Sequence, residues 1–247
     1  MRTITTFEAA EWRSPIENRL LSALPREECE RLLPNLQLVT FSLGHVIYES
    51  GAELEWIYFP NTSIISLIYT MEDGSTAEMG LAGNDGVVGV ALFLGGDTAP
   101  NQAIVQVAGN ALRMKAKVLR EEFSRGGALQ RRLLLYTQAM VTQISQTAAC
   151  NRLHSVEKRL ARLLLLVHDR LQFDDLPLTQ EGLSLMLGVR RESVNVAARR
   201  LQGTGLIRYN RGSIRIFSRA GLEAVTCECY RVVRLEFDRL LGAGAKA

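Results

Sequence analysis

The sequence predicts an α+β protein in which an antiparallel β-roll of the jelly-roll type precedes a long helix and a C-terminal unit of helices and a β-hairpin. Three stretches of the chain lead to this fold class. Short β-prone segments separated by glycines occupy residues 37–117, and residues 133–151 contain no charged side chain. In residues 178–217, apolar residues first recur at helical spacing and then alternate with polar residues. A chain of 247 residues is long enough to form two hydrophobic cores.

The N-terminal part begins with two short helical patterns and continues as strands. Apolar residues at helical spacing near 16–24 and 29–33 end at Pro25 and Pro34. Strands are then predicted at 37–41, 46–48, 56–59, 64–69, 77–81, 104–107 and 111–114. Evenly spaced short strands with glycines between them are typical of a small antiparallel barrel or jelly roll.

The uncharged segment between Arg132 and Arg152 predicts a helix that is covered on most of its sides. It is too rich in Thr, Gln, Ser and Asn for a membrane span. Its apolar residues follow an approximate coiled-coil spacing, which predicts that one face packs on a second copy of the chain. The predicted dimer-interface residues are Leu133, Tyr136, Met140, Ile144 and Thr147. The alternative is a core helix buried entirely within one chain.

The C-terminal part has the signals of a winged helix-turn-helix. Ser155 can cap a helix that runs to Val167, and Thr179 can cap the next helix. Gly188 can hold the tight turn before a second helix over 191–203. Over residues 206–217, apolar and polar residues alternate on both sides of a turn at 210–212, which predicts a β-hairpin. One further helix is predicted over 222–241.

The distribution of charge makes double-stranded DNA the first partner to consider. Residues 155–219 contain twelve Lys and Arg against six Asp and Glu, whereas the whole chain has a net charge of only +3. The exposed start of the second helix carries side chains that can read base edges. Residues predicted at the DNA interface are Arg190, Arg191, Glu192, Ser193, Asn195, Arg199, Arg200, Arg208 and Arg211. The alternative is a structural helical hairpin with a solvated basic face.

The segment LTQEGLSLMLGVRRESVNVAARRLQGTGLIRYNRGSIRIF, residues 178–217, resembles the DNA-binding domain of the Crp/Fnr family of bacterial transcription regulators. The resemblance extends more loosely upstream, through 41–123. It implies a homodimer with a β-roll sensor, a long dimer helix and RNA polymerase as a further partner. By position, Arg191 and Glu192 match the family's base-reading pair, and a third base-contacting arginine of the family would fall at Val196. Four other arginines are better suited to contacts with DNA phosphates than with bases: Arg199, Arg200, Arg208 and Arg211.

The family's cyclic-nucleotide loop is not matched in the roll. The family pattern resembles Gly-Glu-Leu followed by Arg-Ser or Arg-Thr, whereas this chain has Gly89-Val90 and then Asn101-Gln102. No Lys or Arg occurs between Trp56 and Leu112, so a buried phosphate would lack a compensating cation. Cyclic AMP or GMP is therefore not expected. Two alternatives stay open: a different small effector, for example an apolar one, or no effector at all.

The cysteines do not predict a cofactor or a metal. Only Cys29 lies before residue 150, so the N-terminal iron–sulfur pattern of some family members is missing. Cys150 and His154 are four residues apart and supply only two ligands, although a dimer would supply four. Cys227 and Cys229 would point to different faces of one helix, which disfavours a chelate or a disulfide. One of the four could still be a redox-sensitive thiol.

Together these observations predict a cytoplasmic, non-enzymatic regulator with three parts: a sensor-like roll over 1–126, a dimer helix and hinge over 127–153, and a DNA-binding domain over 154–247. No catalytic residue, metal or cofactor is predicted. Three classes of protein stay open: an effector-independent DNA binder, a DNA binder gated by an unidentified ligand in the roll, and a thiol or metal redox protein.

Overall fold

The computed structural model describes residues 17–210 and 212–242. Its first helix, α1, covers Arg19–Ser22 and is capped by Asn18, whose side chain accepts hydrogen bonds from the backbone N–H groups of Leu20 and Leu21. The predicted start of this helix at Ile16 lies outside the described residues. The second helix, α2, covers Arg26–Leu32 and leads into the roll through a short 3-10 turn.

Seven strands form the roll, at the seven places that the sequence predicts. They are β1 Gln37–Phe41, β2 Val46–Tyr48, β3 Trp56–Pro60, β4 Ile64–Thr70, β5 Thr76–Ala82, β6 Gln102–Val107 and β7 Gly109–Lys115. They pair antiparallel in two sheets, ordered β1-β7-β3 and β2-β6-β4-β5. Side chains between the sheets, such as Phe59, Ile65 and Val105, are fully buried. A short helix, α3 Ala91–Leu94, lies between β5 and β6 and was not predicted.

Two helices connect the roll to the C-terminal part. Helix α4 covers Ala116–Ser124, and the long helix α5 covers Ala128–Leu153. Glu28 of α2 caps α5, because its two carboxylate oxygens accept from the backbone N–H groups of Ala128 and Leu129 at 2.9 Å. Helix α5 ends before His154, which has an extended backbone, and Ser155 then caps α6 Val156–Leu171. The two helices are therefore separated by a break at His154 and Ser155.

The structure buries most of the predicted dimer-interface residues inside their own protomer. Leu133, Tyr136, Met140 and Thr147 all belong to the buried side of α5, and only Ile144 stays partly accessible. Gln143, on the same buried side, donates to the carbonyl oxygen of Leu81 on β5 at 3.0 Å. The face that these residues form packs against other parts of the same chain, the roll among them, and so leaves a different face of α5 exposed.

The C-terminal part is a winged helix-turn-helix, as predicted. Its elements are β8 Asp175–Leu176, α7 Gln180–Leu187, α8 Arg191–Gly203, β9 Ile207–Asn210 and β10 Ser213–Ile216. The three strands form one sheet in the order β8-β10-β9, and the two-residue strand β8 was not predicted. Helix α6 packs against α8, and Leu160, Leu164 and Val194 are fully buried.

The single helix predicted over 222–241 is wrong, because the structure breaks it in two. Helix α9 covers Arg219–Val225 and α10 covers Glu228–Leu241. Thr226 and Cys227 between them have extended backbones, so Cys227 precedes α10 while Cys229 lies in its first turn. Helix α10 then packs along α5, where the ring of Phe237 meets that of Tyr136 edge to face. Among the described residues, no helix has the length and apolar character needed to cross a bilayer.

Candidate nucleic-acid interface

The two helices of the motif are held at a fixed angle by local contacts. The side chain of Thr179 caps α7 by accepting from the backbone N–H of Gly182 at 3.0 Å, as predicted. Gly188 ends the helix with φ +60° and ψ +41°, a conformation in which a side chain is disfavoured. The buried guanidinium of Arg159 on α6 donates to the carbonyl oxygen of Leu187. This carbonyl lies in the last turn of α7, where the backbone oxygens have no hydrogen-bond partner within the helix.

Helix α8 starts and ends at the predicted residues and presents a polar face to solvent. Its apolar side, Val194, Ala197, Ala198 and Leu201, is buried against the domain. By helical periodicity, Glu192, Val196 and Arg199 lie at the centre of the opposite side. The predicted contact residues Arg190, Arg191, Glu192, Arg199 and Arg200 are exposed, and Ser193 and Asn195 are partly exposed. The structure therefore brings these predicted residues onto one accessible helix.

Two of the arginines on α8 are already paired within the chain. Nη2 of Arg191 lies 3.0 Å from Oε1 of Glu181 on α7, and both side chains are more than half exposed. Nη1 of Arg200 lies 3.6 Å from Oε2 of Glu157 on α6. Glu181, in the first turn of α7, was not among the predicted interface residues, although the structure places its carboxylate next to Arg191.

The wing places further basic residues beside the helix. Arg208 on β9 is exposed, and its guanidinium carbon lies 5.2 Å from the ring centre of Phe217. Phe217 is itself half exposed, so the contact holds the arginine at the surface. The predicted phosphate contact Arg211 lies outside the described residues.

A second feature of the chain is a cavity of about 280 Å³ between the roll and α5. Gly89, Val90 and Asn101 of the predicted ligand loop line it, together with Met140 and Ile144 of the long helix. Gln102 of the same loop points elsewhere and donates to Oε2 of Glu49 at 2.7 Å. None of the described residues that line this cavity carries a charge. The cavity therefore offers mainly apolar surface to a ligand.

The C-terminal sequence matches a known domain family. Residues 158–225 match the model of the Crp-like helix-turn-helix domain, a range that includes α7, α8 and the wing. Among curated proteins, no sequence matches this chain.

Solved structures share the fold over most of the chain. FixK2 from Bradyrhizobium japonicum aligns with a TM-score of 0.66 at 16% identity, over 78% of this chain and 98% of its own. A putative Crp/Fnr-family regulator from Eubacterium rectale aligns with a TM-score of 0.62 at 15% identity, over 83% and 96%. The c-di-GMP-responsive regulator CLP from Xanthomonas campestris aligns with a TM-score of 0.58 at 17% identity, over 78% and 100%. The chain thus shares its fold, a β-roll followed by a helix-turn-helix, with solved structures that include a putative Crp/Fnr-family regulator, and residues 158–225 match the Crp-like helix-turn-helix domain.

Proposed function

We propose that this protein is a sequence-specific DNA-binding transcription regulator, rather than an enzyme, and that it acts as a homodimer on a two-fold symmetric site. The observation that carries the proposal is the exposed polar face of α8, held by the Crp-like helix-turn-helix scaffold. Arginine can pair bidentately with guanine, and glutamate can accept from the amino group of cytosine. Arg191 and Glu192, exposed in the first turn of α8, are the residues that we propose to make those contacts.

The half-site should differ from that of family members with a third base-reading arginine. Val196 stands at that position, and it is 51% exposed at the centre of the outer face of α8. A valine cannot donate a hydrogen bond, but its methyl groups can contact the methyl group of thymine. Arg199 on the same face of α8 and Arg208 on the neighbouring wing are proposed to contact phosphates, which position the helix without specifying sequence.

The proposed dimer seam is the solvent-exposed face of α5. Leu134 and Val141 are 46% and 58% exposed, and Ala148 is exposed as well. These residues are seven apart, and the partly exposed Thr137 and Ile144 stand between them. Apolar residues at heptad spacing on an exposed helix are typical of a coiled-coil seam. A second copy packed here would pair two long helices and must hold the recognition helices roughly 34 Å apart.

The cavity in the roll favours a second candidate, a regulator gated by a small apolar ligand. Val141 and Ile144 belong both to the cavity wall and to the proposed seam, and Met140 on the buried side of α5 lines the cavity as well. A ligand bound there would touch the helix that sets the dimer geometry, and it could shift the chain between two arrangements of the DNA-binding domains. The uncharged wall argues against a cyclic nucleotide as that ligand.

The proposal is tested by selection from a pool of randomised duplexes with the purified full chain, with and without cyclic AMP. We expect enrichment of a two-fold symmetric site, and we expect the same site in the absence of nucleotide. Selection only in the presence of cyclic AMP would overturn the ligand assignment while supporting DNA binding. Retention of all duplexes alike, at low and at moderate salt, would contradict sequence-specific binding.

A further inference from the structure

Four potential metal ligands gather where α5 ends and α10 begins. Cys150 and His154 come from the last turn of α5 and the residue after it, and Cys227 and Cys229 come from the start of α10. The expectation that Cys227 and Cys229 point apart is wrong, because Cys227 has an extended backbone and precedes the helix. The four ligand atoms all lie within 4.8 Å of one another.

Two of the distances between these atoms are close to those of a tetrahedral site with one metal ion. Sγ of Cys150 lies 3.5 Å from Sγ of Cys227, and Sγ of Cys229 lies 3.6 Å from Nδ1 of His154. With Zn–S bonds of about 2.3 Å, tetrahedral geometry separates neighbouring ligand atoms by about 3.8 Å. Three thiolates and one imidazole form one of the closed ligand sets that structural zinc prefers. Two-iron clusters need ligand pairs set further apart, because two metal atoms lie between them.

The histidine is oriented as a metal ligand requires. While Nδ1 of His154 faces the sulfur of Cys229, its other nitrogen, Nε2, lies 3.4 Å from Oε2 of Glu228. A carboxylate that accepts from the second ring nitrogen of a ligating histidine fixes its tautomer and its ring orientation. Glu228 would therefore act as a positioning residue rather than as a ligand.

The surroundings of the cluster are suited to a buried anionic site. Cys150, Cys227 and Cys229 are almost fully buried, and together they form a separate small cluster beside the main core. Zinc with three thiolates carries a net charge of −1. The guanidinium of the buried Arg162 also lies in this region, where it donates to the hydroxyl of Thr147, one turn before Cys150, at 2.9 Å.

We propose that Cys150, His154, Cys227 and Cys229 form a closed, mononuclear Zn²⁺ site that fastens the end of α5 to the start of α10. The three thiols lose their protons to solvent when the ion binds, and no electron is transferred. The site lies at the break between α5 and α6, so the bound ion would fix the hinge that connects the long helix to the DNA-binding domain. This assignment does not depend on whether the chain binds DNA.

The test is the metal content of the full chain, purified with a reductant, in the absence of oxygen and without a metal-affinity step. We expect about one zinc per chain by elemental analysis. The chain stripped of metal and reloaded with Co²⁺ should show the intense d–d bands of a tetrahedral ion and a thiolate-to-cobalt charge-transfer band. Less than about a tenth of a metal ion per chain, together with no Co²⁺ spectrum, would overturn the proposal. Acid-labile sulfide with visible iron absorption would overturn the mononuclear assignment.

Matched variants separate the four-ligand site from nonspecific binding to thiols. Cys150→Ser and Cys229→Ser should each lose most of the bound metal, whereas Cys29→Ser should keep it, because Cys29 lies on α2, outside the cluster. His154→Ala should lose metal and His154→Cys should retain it, since four thiolates also form a closed site. Glu228→Gln should keep the ion but weaken its affinity about 10-fold or more. Equal metal content in all variants would contradict the site.

The competing chemistry is a Cys150–Cys227 disulfide, given the 3.5 Å between the two sulfur atoms. It would remove two hydrogen atoms per chain and would require an external oxidant. Intact mass measured without reductant distinguishes the two cases. A mass that corresponds to four free thiols, after the metal has been removed in acid, supports the zinc site. A stoichiometric loss of two hydrogens in protein purified with reductant would overturn it.

Discussion

Nε of Arg170 on α6 lies 2.9 Å from Oδ1 of Asp85, which follows β5 of the roll. The Arg170 side chain is only 2% exposed, and it also donates to the Gln143 side chain on α5 at 3.1 Å and to the carbonyl oxygen of Leu166 at 2.8 Å. One buried guanidinium therefore joins the roll, the long helix and the first helix of the DNA-binding domain.

Removing the carboxylate from this pair should destabilise the protein strongly. Asp85→Ala leaves the charge of Arg170 buried with less compensation, and we expect a loss of about 3 kcal/mol in the free energy of unfolding. Urea denaturation followed by circular dichroism measures this loss. Glu30→Ala, which removes the partner of the exposed Arg26 at 2.7 Å, is the control and should leave the midpoint unchanged. Equal effects of the two substitutions would refute the role given to Asp85.

Arg191 should carry base specificity, and Glu181 should oppose it. Arg191→Ala is expected to weaken binding to the selected site by about 1–3 kcal/mol and to relax one base position. Glu181→Gln removes the carboxylate that pairs with Arg191 at 3.0 Å, and it should tighten binding because the guanidinium is released. Fluorescence anisotropy with the selected duplex and with single-base variants measures both effects. If Arg191→Ala bound every duplex as wild type does, Arg191 would not be a recognition residue.

Arg208 in the wing should contribute affinity without sequence preference. Arg208→Ala is expected to weaken binding to specific and unrelated duplexes alike, because a phosphate contact is independent of sequence. The slope of log K against log salt concentration should become smaller by about one unit. Arg239→Ala, on α10, is the matched control and should change neither quantity. A loss of affinity for the selected site alone would instead indicate that Arg208 contacts a base.

The exposed face of α5 should hold the dimer together. Val141→Asp puts a charge at the centre of the proposed seam, and we expect the protein to sediment as a monomer. Leu43→Asp is the control, because Leu43 is 49% exposed in the connection between β1 and β2 and is not part of the proposed seam. Sedimentation equilibrium at micromolar concentration gives the mass of each variant. If the Val141→Asp variant stayed dimeric, the dimer interface would have to lie on another surface of the chain.

The buried carboxyl of Glu78 on β5 should make the stability depend on pH. Burial raises its pKa from 4.5 to about 8, against the opposing effects of the Ser66 hydroxyl and the charges of Arg162 and Arg170. Between these values the unfolded chain is ionised while the folded chain keeps the proton. The free energy of unfolding should therefore fall by at most about 1.4 kcal/mol per pH unit as the pH rises from 4.5 to 8.

Glu78→Gln isolates this contribution, because glutamine has nearly the same shape and does not titrate. The stability of the variant relative to wild type should increase between pH 5 and pH 8, as measured by urea denaturation at both values. A difference between the two proteins that does not change with pH would show that Glu78 has an ordinary pKa in the folded state.

Local signals in the sequence determined much of the fold. The caps Ser155 and Thr179, the turn at Gly188 and the bounds of α8 all follow from residues within one or two turns of each site, and the structure has them where they were predicted. The strands of the roll are predicted by equally local signals, namely short β-prone segments and the glycines between them. The candidate residues on α8 are exposed for the same reason, since helical periodicity alone separates them from the buried Val194 and Leu201.

Only the tertiary structure decided which side of α5 faces the roll. A helix without charged residues has no polar face to mark the solvent side, so Leu133 and Leu134 look alike in the sequence although one is buried and the other is exposed. The cysteine cluster depends on tertiary structure for a similar reason. Cys150 and Cys227 are 77 residues apart, and they meet because α10 packs back along α5 after an unpredicted break at Thr226. Neighbouring residues determine periodicity and caps, whereas contacts between distant segments depend on the packing of the whole chain.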